Sequence, residues 1–158
     1  MTDREELEQK VEVERQRFVL FKAGGTRCAL GMDVVQQVIR PSKITRVPRV
    51  PPYILGVTNL RGRILPVVDL CMRLGVRAVS SSKPRILVTQ VDESIVGYLV
   101  SEVLGTVFYA QGEIQPPLAL KGGISLELIR GVVASGGRNV ILLLNLRAMI
   151  AADRAELA

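Results

Sequence analysis

Histidine and tryptophan are absent from this chain of 158 residues, and cysteine occurs only twice, as Cys28 and Cys71. Without histidine there is no imidazole general base, no Ser-His or Cys-His pair, no phospho-accepting histidine and no histidine metal ligand. Two cysteines far apart in sequence are too few thiol ligands for a zinc site. We therefore predict no catalytic residue, no metal and no cofactor, and we expect both thiols to be buried and inert.

Long apolar runs are also missing, since no segment approaches the roughly 20 residues that a membrane-spanning helix needs. The first ten residues, MTDREELEQK, are polar and mostly acidic, which is unlike a signal peptide. The sequence therefore predicts a cytoplasmic protein that does not insert directly into the membrane, with its thiols reduced.

Charge is distributed unevenly along the chain. Residues 1–14 hold six acids and two bases, whereas the rest holds nine acids and 19 bases and so carries +10. Because Leu7 and Val11 form too small an apolar stripe to require packing, we predict an acidic, flexible N-terminal arm over residues 1–16. The basic body favours either the docking of acidic protein partners or, as the alternative function, a basic small-barrel module that binds nucleic acid.

The bases concentrate in and around a proline-rich connector. They are Arg40, Lys43, Arg46, Arg49, Arg61 and Arg63. Only Tyr53 is interleaved with them, and single-strand binders stack bases on several aromatic rings. This favours a protein partner over nucleic acid, although a merely solvated basic surface explains the cluster equally well.

Short apolar segments separated by glycine turns occur in both halves of the chain, on either side of a serine-rich linker over residues 79–84. Many short strands at regular spacing are typical of small barrels. We predict a first barrel over approximately 17–79 and a second over approximately 85–144, with exchange of strands between them left open. A C-terminal helix is expected over approximately 145–156, because Asn145 can cap it and Leu146, Met149 and Ile150 share one face.

Single residues add local expectations. Asp69 follows an apolar run and is expected to cap a short helical turn. Pro66 cannot donate to a ladder, so its strand should be an edge there or carry a bulge. Gly56 and Gly131 flank strands, where we expect close backbone approach or a positive φ. Residues 59–62, NLRG, suit a four-residue reverse turn.

One long motif identifies a family. Residues 44–48 are ITRVP, and residues 52–70 are PYILGVTNLRGRILPVVDL. Together they resemble the signature of the CheW-like family, and the resemblance extends over residues 18–30, 34–39, 95–103 and 128–150, which is nearly the whole chain from about residue 17. It implies a mainly β fold of two SH3-like five-stranded β-barrels that share a hydrophobic interface, with a short C-terminal helix and no catalytic activity.

The resemblance also implies a function. Members of the family couple the cytoplasmic tips of methyl-accepting chemoreceptors to the regulatory domain of a CheA-type histidine kinase. The expected partners are therefore a receptor tip and a kinase regulatory domain, and not nucleic acid. The expected location is cytoplasmic, at the inner face of the membrane within receptor arrays.

Site residues follow from matching positions in the family. The residues expected to bind the receptor are Val35, Gly56, Asn59, Leu60, Arg61 and Gly62. The residues expected to face the kinase or a neighbouring adaptor are Gln37, Ile95, Val96, Leu99 and Ser101. Gln37 and Ser101 stand where the family commonly has an acid, so an ion pair with a partner is lost at both positions.

Overall fold

The computed structural model describes residues 3–6, 15–117, 123–137 and 139–157. Within them the strands are β1 (Arg15–Ala23), β2 (Thr26–Gly31), β3 (Val35–Ile39), β4 (Ile54–Leu60), β5 (Arg63–Asp69), β6 (Arg85–Val91), β7 (Ser94–Val100), β8 (Glu102–Ala110), β9 (Ile129–Ala134) and β10 (Val140–Leu144). The helices are α1 (Leu70–Leu74) and α2 (Leu146–Ala155), with 3-10 turns at Gln111–Glu113 and Leu126–Leu128. Neither of these helices is long and apolar enough to cross a membrane.

Two five-stranded sheets form the protein, in the orders β8-β1-β2-β10-β9 and β3-β6-β7-β5-β4. We call them sheet A and sheet B. The predicted mainly β, SH3-like architecture is confirmed. Neither ladder is continuous around its barrel: one isolated bridge meets the outer strand of each sheet, Thr45 with Val57 in sheet B and Gln115 with Val132 in sheet A.

The two halves of the chain exchange strands reciprocally. The first half gives hairpin β1–β2 to sheet A and β3, β4 and β5 to sheet B, and the second half gives β6–β7 to sheet B and β8, β9 and β10 to sheet A. The division into barrels over 17–79 and 85–144 is therefore wrong as a description of the sheets. The observed arrangement arises from pairing between distant segments. Residues Arg15 to Lys22 of β1 pair with β8, and β2 pairs in parallel with β10.

The N-terminal boundary also shifts. Residues 3–6 form an exposed helical turn, residues 7–14 of the predicted arm lie outside the described residues, and Arg15 and Gln16 already belong to β1. Residues 79–84, the predicted linker, contain neither helix nor strand.

Equivalent positions in the two halves perform the same structural task. Asp69 caps α1 by accepting a hydrogen bond from the Met72 amide at 3.3 Å, and Asn145 caps α2 by accepting one from the Ala148 amide at 3.2 Å. Both predicted caps are confirmed. Gly56 and Gly131 form a second matched pair. Gly56 of β4 lies beneath Thr45, and Gly131 of β9 lies beneath Gln115, and each of these covering residues forms the isolated bridge to that strand.

Pro66 has no amide hydrogen to donate, and its position requires none toward either neighbouring strand, β4 or β7. Its partner on β4 is Val57, whose own amide and carbonyl bond to Thr45 instead. The parallel ladder between β5 and β7 begins only at Val67. The predicted bulge is absent at Pro66, and β5 as a whole is an inner strand. The predicted edge is found only on the β7 side, where Pro66 has no ladder partner.

The largest core lies between the two sheets and is shared by both. Its fully buried members include Phe21, Leu87, Tyr98, Met149 and Ile150. Smaller clusters fill each barrel, around Phe18 in sheet A and Leu65 in sheet B. The shared core makes the two barrels one packed unit and seats α2 across them.

Both cysteines are buried free thiols, as predicted. Burial raises the pKa of the Cys28 thiol to about 12, and the nearby Cys71 adds to the rise. Burial also raises the pKa of Cys71, although a hydrogen bond with Ser101 opposes the shift. Because only thiolates are good nucleophiles, both side chains are poor reagents at neutral pH.

Candidate partner-binding groove

The β4–β5 hairpin ends in a two-residue loop with Arg61 at its tip. Arg61 and Gly62 have φ values of 52° and 82°, the signs that a tight primed hairpin turn requires. The Gly62 amide donates a hydrogen bond to the Asn59 side-chain oxygen at 2.8 Å. The strands therefore run on to Leu60 and resume at Arg63, and the predicted four-residue turn over 59–62 is wrong because Asn59 and Leu60 remain in the ladder.

This local geometry projects a cation from a fixed point. Arg61 is exposed, and among the described residues no side chain or carbonyl forms an ion pair or hydrogen bond with its guanidinium. A guanidinium fork that is held at a rigid turn and has no internal partner is available for a carboxylate or carbonyl of another molecule.

Behind the tip, the outward face of the hairpin forms one wall of an open groove of about 710 Å³. The other wall is the C-terminal half of α2. The groove is lined by Val47, Val57, Ile64, Pro66, Ser94, Ala151, Arg154, Ala155 and Leu157. Ile64 is 70% exposed, more than any other large apolar residue that the structure describes as exposed.

A second cavity of about 390 Å³ continues the groove toward the connector before β4. It shares Val57 and Ile64 with the groove and adds Lys43, Thr45 and Asn59. Lys43 here and Arg154 in the groove are the charged lining residues of the two cavities. A floor of apolar side chains with cations at the edges suits an amphipathic partner surface that carries acidic residues.

A buried polar network lies behind the groove wall formed by α2. The Asp153 carboxylate, only 1% exposed, accepts hydrogen bonds from Arg73 Nε at 2.6 Å and from the Tyr98 hydroxyl at 2.7 Å. Burial and the Asp153 charge raise the pKa of Tyr98 above its usual range. The Arg73 guanidinium carbon lies 5.1 Å from the centroid of the Tyr53 ring. The network thus joins α1, α2, β7 and Tyr53, the residue before β4.

Four of the six residues predicted to bind the receptor lie together at the hairpin tip. They are Asn59, Leu60, Arg61 and Gly62. Gly56 is on the same strand but is buried beneath Thr45. Val35 belongs to β3 and packs into the shared core, with 9% of its surface exposed, so the structure does not bring it to the groove.

The predicted kinase-facing set is largely internal. Ile95, Val96 and Leu99 lie on β7, the central strand of sheet B, between β6 and β5. Val96 packs into the shared core and Ile95 into the smaller cluster of sheet B. Val96 is fully buried and Ile95 is 9% exposed, so the prediction that these two residues meet a partner is wrong. The sequence pattern did not reveal that these side chains are buried, because the inner and outer strands of the protein are both apolar.

The remaining members of that set are partly accessible. Leu99 is half-buried. The Ser101 hydroxyl is occupied inside the protein, where it accepts a hydrogen bond from the Gly24 amide at 2.8 Å. Gln37 is half-buried on β3, an edge strand of sheet B.

Sequence reasoning missed the groove itself. Ile64 stands in an unbroken apolar run from 64 to 68, which indicates a strand covered on both faces and not one with an open face. Ala151, Arg154 and Ala155 contribute through α2, whose docking position no local pattern specifies. The one available signal was the apolar residue at position 64 directly beside a tight turn.

Fold and groove together define a two-sheet SH3-like β protein with an open apolar groove beside a cationic hairpin tip. The CheW-like domain model matches residues 17–154, and the chain belongs to the CheW-like family. It is 31% identical over 144 residues to chemotaxis protein CheW of Rhizobium meliloti, covering 90% of this chain and 92% of that protein. It is 34% identical over 141 residues to protein FrzA of Myxococcus xanthus, covering 88% of each.

A solved structure has the same fold. The crystal structure of the scaffolding protein TtCheW from Thermoanaerobacter tengcongensis matches with a TM-score of 0.76 and 26% identity, over 83% of this chain and 84% of that one. The two-sheet arrangement is therefore an architecture that a CheW scaffolding protein also adopts.

Proposed function

We propose that this protein is a non-catalytic adaptor that couples methyl-accepting chemoreceptors to a CheA-type histidine kinase. The observation that carries the proposal is the groove between the β4–β5 hairpin and α2, with Ile64 exposed in it. The unpaired Arg61 lies at the tip of the same hairpin. Relatives named chemotaxis protein CheW and a structure named scaffolding protein support the same role. The adaptor works in the cytoplasm, on the inner face of the membrane, where receptor tips are found.

The groove is suited to the helical tip of a receptor. An amphipathic helix places apolar residues at i, i+3 and i+4 into such a groove, and Val57, Ile64 and Pro66 provide the apolar floor. Acidic residues of the tip would meet Arg61 and Arg154. A charge-assisted hydrogen bond to a guanidinium contributes about 1.5–3 kcal/mol when partly buried.

Kinase binding requires a different surface, because the adaptor must hold both partners at once. The candidate for this second surface is β3, an edge strand of sheet B. Gln37 lies there beside Val38, which is 42% exposed. We propose this edge for the kinase regulatory domain or for a neighbouring adaptor.

Nucleic-acid binding stays the alternative function, favoured by the net charge of +6. One contact speaks against it. Tyr53, the aromatic residue among the bases, has the Arg73 guanidinium beside its ring, so that face is covered and not open for stacking a base.

The test is co-sedimentation of the purified protein with receptor-containing membranes, with and without a CheA-type kinase. We expect the protein to pellet with receptors and to increase the amount of kinase that pellets. Ile64→Ser should weaken pelleting, whereas Val79→Ser, at another exposed apolar residue (55%) that lies in the linker and outside the groove, should not. Failure to pellet, together with tight nucleic-acid binding that falls steeply with salt, would overturn the proposal.

A further inference from the structure

Two alanines form part of the wall of the groove that α2 provides. Ala151 and Ala155 line it, with Arg154 and Leu157. Alanine side chains have no rotamers with which to adapt to a partner, so the width of the groove on this side depends on where the helix backbone lies. Whatever fixes α2 against sheet B therefore fixes the shape of the groove.

The opposite face of the same helix carries an unusual anchor. Met149 and Ile150 pack into the shared core as apolar contacts, which are not directional. Asp153, one turn further and next in sequence to the groove residue Arg154, is a buried carboxylate instead. Burying such a charge is unfavourable unless it is paired and hydrogen-bonded.

The Asp153 carboxylate is both ion-paired and hydrogen-bonded, and its two donors lie on different elements. Arg73 on α1 donates from Nε at 2.6 Å to one oxygen, and Tyr98 on β7 donates from its hydroxyl at 2.7 Å to the other. The side chain of Asp153 is 0% exposed and that of Arg73 is 15% exposed. Because hydrogen bonds are short and directional, the two donors specify one position for the carboxylate, and hence for α2, more narrowly than apolar packing does.

We infer that Arg73, Asp153 and Tyr98 are positioning residues that set the width of the groove by holding α2 in one place. The positioning of α2 does not depend on the proposed function. Only the consequence rests on that function: receptor binding depends on residues that the receptor does not touch. Tyr53, the residue before β4, extends the network through the contact of its ring with Arg73.

The first test measures position without any partner. Spin labels on cysteines introduced at Arg63 and Ala152, exposed positions on β5 and α2 outside the set of groove-lining residues, report the distance between the two walls. Asp153→Asn keeps the size of the side chain but removes the charge that pairs with Arg73. We expect a shifted or broader distance distribution in that variant, and a narrow unchanged one in the control.

The control is Asp92→Asn. Asp92 also pairs with an arginine of α2, Arg147, but at 3.8 Å and with side chains 84% and 74% exposed. It has a φ of 53°, which asparagine tolerates. This variant removes an ion pair of the same helix without touching the buried network.

The second test measures affinity for a soluble receptor-tip fragment, under conditions where circular dichroism shows every variant to be folded. We expect Asp153→Asn to bind roughly three- to thirtyfold more weakly, the range of coupling carried through positioning residues. Tyr98→Phe, which removes one hydroxyl and keeps the ring, should show a smaller loss, and it replaces Asp153→Asn if that variant does not fold.

The outcomes separate the two claims. Lower stability with an unchanged distance distribution and unchanged affinity would overturn the inference, because the network would then only stabilise the fold. Absence of binding by the wild type would contradict the proposed function, and the distance measurement would still decide whether the network positions α2.

Discussion

Replacing Gly56 by alanine should destabilise the protein strongly, because the new methyl group would collide with backbone atoms. A Cβ at this position would lie 2.1 Å from the Thr45 carbonyl oxygen and 2.7 Å from its carbonyl carbon. Backbone atoms cannot rotate away as the end of a side chain can. The connector that carries Thr45 must therefore move off the outer edge of β4.

The contacts that would be lost give the magnitude. The bridge consists of two hydrogen bonds of 2.8 Å, from the Thr45 amide to the Val57 carbonyl and from the Val57 amide to the Thr45 carbonyl, each contributing about 1 kcal/mol. Gly56 also has a φ of 140°, a backbone region in which other residues are strained by about 1–3 kcal/mol. The expected loss in the free energy of unfolding is about 3–5 kcal/mol, a large part of the 5–15 kcal/mol of an ordinary domain.

Gly105 provides a matched control. Its φ is 135°, but a Cβ there would meet nothing within 4 Å. Gly105→Ala therefore introduces the backbone strain without the collision, and urea denaturation of both variants isolates the steric contribution. Gly56→Ala should be the less stable by about 2 kcal/mol, the value of the two bridge hydrogen bonds. Equal stability of the two variants would refute the close-approach argument.

Three further predictions concern stability and reactivity. The free energy of unfolding should fall as the pH rises from 9 to 12, because folding raises the pKa of the Cys28 thiol from 9.0 to about 12. The contribution of this thiol to stability is fully present below the pKa of the unfolded state and is lost progressively as the pH rises to the pKa of the folded state. Cys28→Ala should flatten that decline in urea melts at stepped pH, and an unchanged slope would contradict the argument. Asn59→Ala should cost about 1 kcal/mol through loss of the hydrogen bond to the Gly62 amide, and Asn59→Asp, which retains an acceptor, should recover most of it in the same assay. Asp69→Ala should lower stability by about 1 kcal/mol through loss of the α1 cap, whereas Asp69→Asn should remain near the wild type; a wild-type melting curve for Asp69→Ala would show that the cap contributes nothing.

Local features were predictable because their causes are local. Asp69 and Asn145 cap helices through their own side chains, and a cap followed by an apolar stripe is visible in the sequence. Gly56 and Gly131 were recognisable as glycines flanking apolar strands. The long motif over residues 44–70 identified the family and with it the number of strands in each sheet.

Long-range features were not predictable, because their causes lie in pairing between distant segments. Nothing in β1 indicates that it pairs with β8, whose paired residues are 80 to 95 positions further along the chain, so the exchange of strands between the sheets was not predictable. Val96 resembles any apolar strand residue, and it is buried because it packs into the core shared by the two sheets. Asp153 resembles a solvated helix carboxylate until α1 and β7 enclose it.

The central claim is that the hairpin tip and groove bind the receptor tip, and Arg61→Ala tests it most directly. The affinities of wild type and variant for a receptor-tip fragment and for a kinase regulatory domain are compared in one buffer, with Arg27→Ala, an exposed arginine of sheet A, as the control. We predict that Arg61→Ala weakens receptor binding by about 1–3 kcal/mol, leaves kinase binding and folding unchanged, and is only partly rescued by Arg61→Lys. Receptor affinity equal to that of the wild type would contradict the account.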